Sequence, residues 1–497
     1  MSMGIGSEQS PERRLTSTVS HTYSFNSLFQ ASSFCPHIST KVAKQFDVSH
    51  CFSPNRFPLL RPISILTRFV LTTTDPASTE KIGSCPEMSR EDVAAAIDHA
   101  AVAFKKFKLM SGRERARLLR RWYDLMVENA SDITTLLTWE NGKPTPDAKR
   151  EAYFAADFLE WFSEEAPRMY GDHIPTSIAG NRVITIRQPI GVCGLITPWN
   201  FPAAMITRKA GPAIAAGCTV VVKAPGETPF TSLALAELSR RAGIPDGVFN
   251  VVTCLDNTPS VGQELCENPV VKKISFTGST AVGRLLMQQC APTLKKLSFE
   301  LGGNAPFIIF DDADIEKAVD GAISSKFRCC GQTCICANRI YVQKGIYQQF
   351  AESFAKKVRE FKVGSGYEEG VTHGPLIHGR AVDKVHEHVE DARAKGATVI
   401  VGGKRDEHLG PNFYGLTVIT GMHKDMKLHQ EETFGPVAGL FEFDTEQNVI
   451  ELANSSEVGL AAYFYSRDVN RIWRVAEALE VGMVGINAPL VSDVVSP

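Results

Sequence analysis

Four cysteines fall within eight residues, Cys329-Cys330-Gly331-Gln332-Thr333-Cys334-Ile335-Cys336. A zinc site needs Cys pairs at short spacing with a distant second pair. Here all four crowd one loop with no His beside them, so no metal is expected. A cysteine in a polar, partly exposed loop is a potential nucleophile; the alternative is small thiols filling a core. Two other positions supply what such a nucleophile needs. Glu300, in Phe299-Glu300-Leu301-Gly302-Gly303, is a carboxylate at the end of an apolar run. It could activate water or be a solvated strand end. Asn200, in Thr197-Pro198-Trp199-Asn200-Phe201-Pro202, is an amide held between two prolines. It could donate to a developing oxyanion or close an Asx turn. Two phosphate-binding patterns are missing. There is no Gly-x-Gly-x-x-Gly, and Gly278 to Gly283 has the step of a P-loop but continues Arg284-Leu285 instead of Lys-Ser/Thr.

Residues this far apart in sequence need a rigid support. Residues 191–301 alternate between short Val/Ile-rich runs and helical stretches: Gly191–Thr197, Cys218–Lys223, Val248–Thr253, Lys273–Thr277 and Lys296–Leu301 are the runs. That pattern predicts an α/β fold with a Rossmann-type parallel sheet buried on both faces. Ligands bind at the carboxyl ends of such strands, where Thr197–Pro202, Lys223–Pro229 and Thr277–Thr280 fall. The alternation resumes from Pro306 to Val484, predicting a second α/β domain. Upstream, Ser89-Arg90-Glu91-Asp92 reads as a capping box opening a helix with Val93, Ala96, Ile97, Ala100 and Phe104 on one face. Helices are predicted over Gly112–Asn129 and Asp147–Ala166, then a polar strand pair over Asp172–Pro189 that turns at Ala179-Gly180-Asn181. The organisation expected is a leader at 1–70, a nucleotide-binding domain from 71–171 and 191–301, a hairpin at 172–190 and a catalytic domain at 302–497.

Composition excludes several classes. The chain has 497 residues, 43% of them hydrophobic, and a formal net charge of −2. No basic footprint for nucleic acid is present, and no apolar window is long enough to span a membrane. Residues 1–70 hold 13 Ser, seven Lys/Arg and three Asp/Glu. Such a leader reads as a mitochondrial transit peptide or as an unstructured extension, so the compartment expected is the mitochondrial matrix or the cytoplasm.

Five motifs occur in order: Thr197-Pro198-Trp199-Asn200-Phe201-Pro202, Phe276-Thr277-Gly278-Ser279-Thr280, Glu300-Leu301-Gly302-Gly303, Gly331-Gln332-Thr333-Cys334 and Glu431-Glu432-Thr433-Phe434-Gly435-Pro436. From Thr74 to Pro497 the chain resembles the aldehyde dehydrogenase superfamily. The resemblance implies that Cys334 attacks an aldehyde, that the Asn200 amide and the Cys334 N–H hold the oxyanion, and that Glu300 activates water against the thioester. It implies NAD or NADP as cofactor. Ile196, Thr197 and Trp199 would line the nucleotide site, and Lys223 and Gly226 would face the adenosine ribose. Gly278 and Ser279 would meet the pyrophosphate, Glu432 the nicotinamide ribose, and Phe434 the nicotinamide. It also implies a homo-oligomer, a dimer or tetramer, with the 172–190 strand pair as its oligomerisation hairpin.

Within the superfamily the chain is most similar to the succinate-semialdehyde dehydrogenase branch, through Met205-Ile206-Thr207-Arg208-Lys209, Ser325-Lys326-Phe327-Arg328 and Ile472-Trp473-Arg474-Val475. The substrate class implied is a small aldehyde ending in a carboxylate, oxidised during 4-aminobutyrate breakdown; glutarate semialdehyde is the neighbouring alternative. Arg offers a bidentate fork for a carboxylate, and the resemblance assigns Arg208, Arg328 and Ser492 to that end. Each Arg could instead serve a structural ion pair. Many NAD-preferring relatives carry Glu three residues after the loop Lys; here that position is Gly226, so NADP is expected to be tolerated beside NAD. Cys336, two residues beyond Cys334, could close a strained, reducible disulfide with it or simply pack beneath the loop. Relatives continue past Pro497 with a tail that closes the substrate mouth and supports the subunit interface. Its lack would expose apolar surface and a strand edge and makes an inactive chain the alternative expectation.

Overall fold

The computed structural model describes residues 70–495; the leader expectation for 1–70 falls almost wholly outside them. The chain opens with an antiparallel pair, β1 (Val70–Thr74) and β2 (Lys81–Pro86). A short antiparallel hairpin follows, β3 (His173–Ile174) and β4 (Val183–Ile184). Next come the parallel strands β5 (Val192–Ile196), β6 (Thr219–Lys223), β7 (Phe249–Val252), β8 (Val271–Thr277) and β9 (Lys296–Glu300), in the order β7-β6-β5-β8-β9. The second sheet holds β10 (Ala305–Ile309), β11 (Ala337–Gln343), β12 (Thr398–Val401), β13 (Thr417–Met422), β14 (Val437–Phe443), β15 (Ala461–Tyr465) and β16 (Met483–Ile486). Its order is β12-β13-β14-β11-β10-β15-β16, parallel except for β12 against β13.

Both sheets are apolar on both faces, as strands flanked by crossover helices must be. In β6, Val220 and Val222 enter one core with Trp122, Leu159 and Ile206, while Val221 enters the opposite core with Val93, Ile97 and Ile274. In β10, Phe307 and Ile309 face one side and Ile308 the other. The pleat alone sorts these neighbours. Parallel register then brings four strand ends together. Ile196 pairs with Lys223 and with Phe276, and Thr277 pairs with Glu300. These ends carry the predicted site residues.

The capping box is present: Asp92 N–H donates to Ser89 Oγ, and Ser89 N–H donates to Asp92 Oδ2 at 2.9 Å. The helices expected after residues 112 and 147 run over Gly112–Glu128 and Thr145–Glu165. Between them lies a helix absent from the sequence reading, Ala130–Asn141. The strand pair expected over Asp172–Pro189 contracts to two residues per strand, and its side chains Ile174, Ile178, Val183, Ile184 and Ile186 are exposed.

Candidate active site

The loop leaving β5 and the loop entering β11 meet at Asn200. Its Nδ2 donates to the Gln332 carbonyl at 3.0 Å, two residues before Cys334. That accounts for one of its two amide hydrogens. The Cys334 backbone N–H has no acceptor among the described residues. A spare amide hydrogen and a backbone N–H without an acceptor thus lie on touching loops, the kind of donor set that can hold an oxyanion. Gln332 fixes its own loop, donating from Nε2 to the Cys329 carbonyl at 3.3 Å and accepting the Ile377 N–H at 3.0 Å. The turn before it winds left-handed, with φ of 50° at Cys329, 55° at Cys330 and 74° at Gly331.

The Glu300-Leu301-Gly302-Gly303 segment lies against both partners. A Cβ on Gly303 would stand 2.1 Å from the Cys334 carbonyl oxygen, so only glycine permits this approach. Gly303 N–H donates to Glu432 Oε1 at 3.1 Å. Burial pushes the Cys334 thiol up to about 12; Glu432, Cys336 and Glu300 push the same way, and Arg208 opposes them. Burial and the surrounding Glu432 and Glu300 charges thus favour the thiol form of Cys334 over the thiolate. Burial also raises Glu432 to about 7, against the Gly303 hydrogen bond. Sequence reasoning missed Lys209. Its Nζ donates to Ser275 Oγ at 3.1 Å, and burial lowers it to about 8, opposed mainly by Glu300. Only its place one residue after Arg208 hinted at a role.

Arg208, whose charge reaches Cys334, and Arg328, beside Cys329, have no carboxylate partner among the described residues. Arg208 lies over the Phe158 ring at 5.1 Å and Arg328 over Phe201 at 5.4 Å. Neither forms an ion pair among the described residues; each packs on an aromatic ring instead. Ser492 makes no hydrogen bond among the described residues. Its neighbours Val491 and Val494 pack on the cores that hold Cys334 and Phe201, respectively. Cys336 is a free thiol like Cys334. It is buried and donates from Sγ to the Lys326 carbonyl at 3.5 Å, which is the packing alternative.

The nucleotide-site residues gather at the same strand ends. Ile196 ends β5, and Thr197 Oγ1 donates to the Lys223 carbonyl at 3.4 Å. Trp199 and Phe434 meet edge to face at 5.8 Å. Gly278 N–H donates to the Glu300 carbonyl, and Ser279 caps the helix Thr280–Cys290. Lys223 is buried, yet its ammonium has no hydrogen bond or ion pair among the described residues. A buried cation without a partner among the described residues, at a strand end of the same sheet, fits the hydroxyls and phosphates of a dinucleotide. Gly226 is constrained by packing. A Cβ there would stand 2.5 Å from Leu255 Cδ1 and 3.0 Å from the Cys254 carbonyl oxygen, so a carboxylate here would have to displace the Leu255 side chain. No cluster able to hold a metal ion occurs among the described residues.

The aldehyde dehydrogenase family model matches residues 67–497. The NADP+-dependent succinate-semialdehyde dehydrogenase of Escherichia coli is 55% identical over 427 residues, covering 86% of this chain and 88% of that protein. A glutarate-semialdehyde dehydrogenase of Pseudomonas putida is also 55% identical over 427 residues, with the same two coverages. The crystal structure of succinate-semialdehyde dehydrogenase from Burkholderia pseudomallei superposes with a TM-score of 0.85 at 53% identity, covering 86% of this chain and 88% of that one. Loops from the two sheets that bring the Asn200, Gly303 and Cys334 segments together thus coincide with a family match over the whole described chain: the protein belongs to the aldehyde dehydrogenase family.

Proposed function

We propose that the chain oxidises succinate semialdehyde to succinate with NAD+ or NADP+, through a thiohemiacetal and a thioester on Cys334. The observation that carries this reading is the pair of guanidiniums without a carboxylate partner among the described residues, Arg208, whose charge reaches Cys334, and Arg328, six residues before it. A half-buried cation with no carboxylate of its own is a site for an anionic group from outside. The two relatives named for semialdehyde substrates share it as a class, since both substrates carry a carboxylate opposite the aldehyde. Glutarate semialdehyde stays as the second reading because a single methylene is worth only ~1–3 kcal/mol of discrimination.

In this reading the Cys334 proton leaves as sulfur attacks the aldehyde carbon. Glu300, whose charge reaches the thiol, accepts it. Asn200 Nδ2 and the Cys334 N–H hold the oxyanion. A bound NAD+ or NADP+ would supply the hydride acceptor for the step from thiohemiacetal to thioester. Glu300 passes the Cys334 proton to bulk water and, again a carboxylate, withdraws a proton from the water that hydrolyses the thioester. Lys223, Ser279, Glu432, Trp199 and Phe434 would hold the dinucleotide. The exposed apolar hairpin at β3 and β4 is read as a contact with a second copy of the chain, because a two-stranded ribbon is marginal alone.

The test is reduced-cofactor formation by the purified chain with succinate semialdehyde, using NAD+ and NADP+ separately. Comparable kcat/KM for the two is expected, and a hundredfold preference for NAD+ would remove the Gly226 argument. Gly226→Glu adds a negative charge at the ribose and forces Leu255 aside. It is expected to lower kcat/KM with NADP+ by ~10-fold or more relative to NAD+ and to lower the melting temperature. An unchanged cofactor ratio would contradict this account. Cys336 is read as a redox partner for Cys334. Its variant Cys336→Ala should recover activity that the parent loses reversibly in mild peroxide; equal and irreversible loss in both leaves Cys336 as packing only.

A further inference from the structure

Behind the Asn200 loop lies a buried ion pair, Lys143 with Glu151, whose side chains are 1% and 0% exposed. Lys143 follows the helix Ala130–Asn141, and Glu151 lies two turns into the helix Thr145–Glu165. The contacts from these elements fall on one loop in succession. Asn141 Nδ2 donates to the Trp199 carbonyl at 3.0 Å. Lys143 Nζ donates to the Asn200 carbonyl at 2.7 Å and sits 4.2 Å from the centre of the Phe201 ring. Glu151 Oε1 accepts the N–H of Ala203 at 3.0 Å and of Ala204 at 3.4 Å. From Trp199 to Ala204, every residue except Pro202 is gripped by one of three side chains.

The Asn200 carbonyl is also where the nucleophile loop touches. Cys329 Sγ lies 3.8 Å from that oxygen and 3.8 Å from Asn141 Oδ1. With the Asn200 amide on the Gln332 carbonyl, the two loops are joined at both ends of one residue. A buried ion pair adds little net stability over apolar side chains of the same volume, so stability alone does not explain this one. Fixing a carbonyl fixes its peptide plane, and the plane fixes the direction in which the Asn200 side chain departs. Burial opposes the Lys143 charge, but Cys329 and Glu151 more than restore it, and its pKa stands above the ordinary lysine value.

We propose that Lys143 and Glu151, with Asn141, are positioning residues that aim the Asn200 amide at the developing oxyanion, although none of the three touches the reacting atoms. This rests on the reading of Asn200 as an oxyanion donor.

Lys143→Met alone would strand a buried carboxylate and unfold the region. The informative variant is therefore Lys143→Met/Glu151→Gln, which removes both charges and keeps an acceptor for the Ala203 N–H. Its melting temperature and its affinity for NADP+, read by tryptophan fluorescence, should stay near those of the parent. Its KM for aldehyde should change little, while kcat falls ~10²-fold, as misplacement of a catalytic group by about an ångström costs. In an Asn200→Ala background the same pair should cost less than about twofold, since aim no longer matters. A parental kcat, or an undiminished loss in the Asn200→Ala background, overturns the proposal. Should Asn200→Ala by itself leave kcat intact, the oxyanion reading fails first and the proposal with it. If the double variant does not fold, Asn141→Ala decides: a fall in kcat that vanishes with Asn200→Ala supports positioning, and a fall that persists refutes it.

Discussion

Cys334→Ala is expected to lower kcat by at least ~10⁴-fold, the scale on which removal of a nucleophile is felt, with cofactor affinity unchanged. The parent chain should carry a second signature. Because burial holds the Cys334 thiol near 12, the free chain has roughly one thiolate in 10⁵ at pH 7. Its alkylation by iodoacetamide should rise about tenfold per pH unit from pH 7 to 10, in proportion to the thiolate. The sign follows from the shift: a raised thiol loses its proton late, so reactivity grows with pH across the whole window. Mass mapping of the labelled peptide, separating Cys334 from Cys329, Cys330 and Cys336, measures it. A plateau by pH 8 would mean a stabilised thiolate and would remove the need for a proton acceptor in the attack.

The next largest effect belongs to the cations. Arg328→Gln and Arg208→Gln should each raise KM for succinate semialdehyde by ~10- to 100-fold, the worth of a charged hydrogen bond of ~1.5–3 kcal/mol. Butyraldehyde, which has no carboxylate, should be turned over by parent and variants at similar kcat/KM. The comparison separates recognition from folding, since a disturbed fold would slow both aldehydes alike. Equal losses on the two substrates would sink the carboxylate assignment for that arginine.

How much of this could be read from the sequence depended on whether a residue's role leaves a local mark. The parallel strands were legible because short Val/Ile runs between helices have few other uses. Glu300 and Lys223 end their strands as anticipated. The β1–β2 pair was not seen, because Lys81–Pro86 carries Gly, Ser, Cys and Pro instead of an alternating run. Nor was Ala130–Asn141, whose three Thr and two Asn/Asp dilute a helical period that tertiary burial supplies. In the site, Cys334, Glu300 and Asn200 stood out by type and neighbourhood. Lys143 and Glu151 did not, since a charged pair at i, i+8 looks like any solvated helix face until burial is known. Gly226 was read for the charge it lacks, whereas Leu255, distant in sequence, shows that the position also lacks volume.

The left-handed turn at Cys329 and Cys330 has a consequence for how the protein fails. Each non-glycine residue in that conformation costs ~1–2 kcal/mol; the winding persists because Gln332 bonds Cys329 within the loop and Asn141 and Asn200 hold it from outside. Loosening those contacts releases the turn before either sheet is disturbed. The loop that carries Cys334 therefore stores strain between two cores that grip it. Heating should silence the enzyme while most of its amide hydrogens are still protected, so that the lifetime of activity is shorter than the lifetime of the fold.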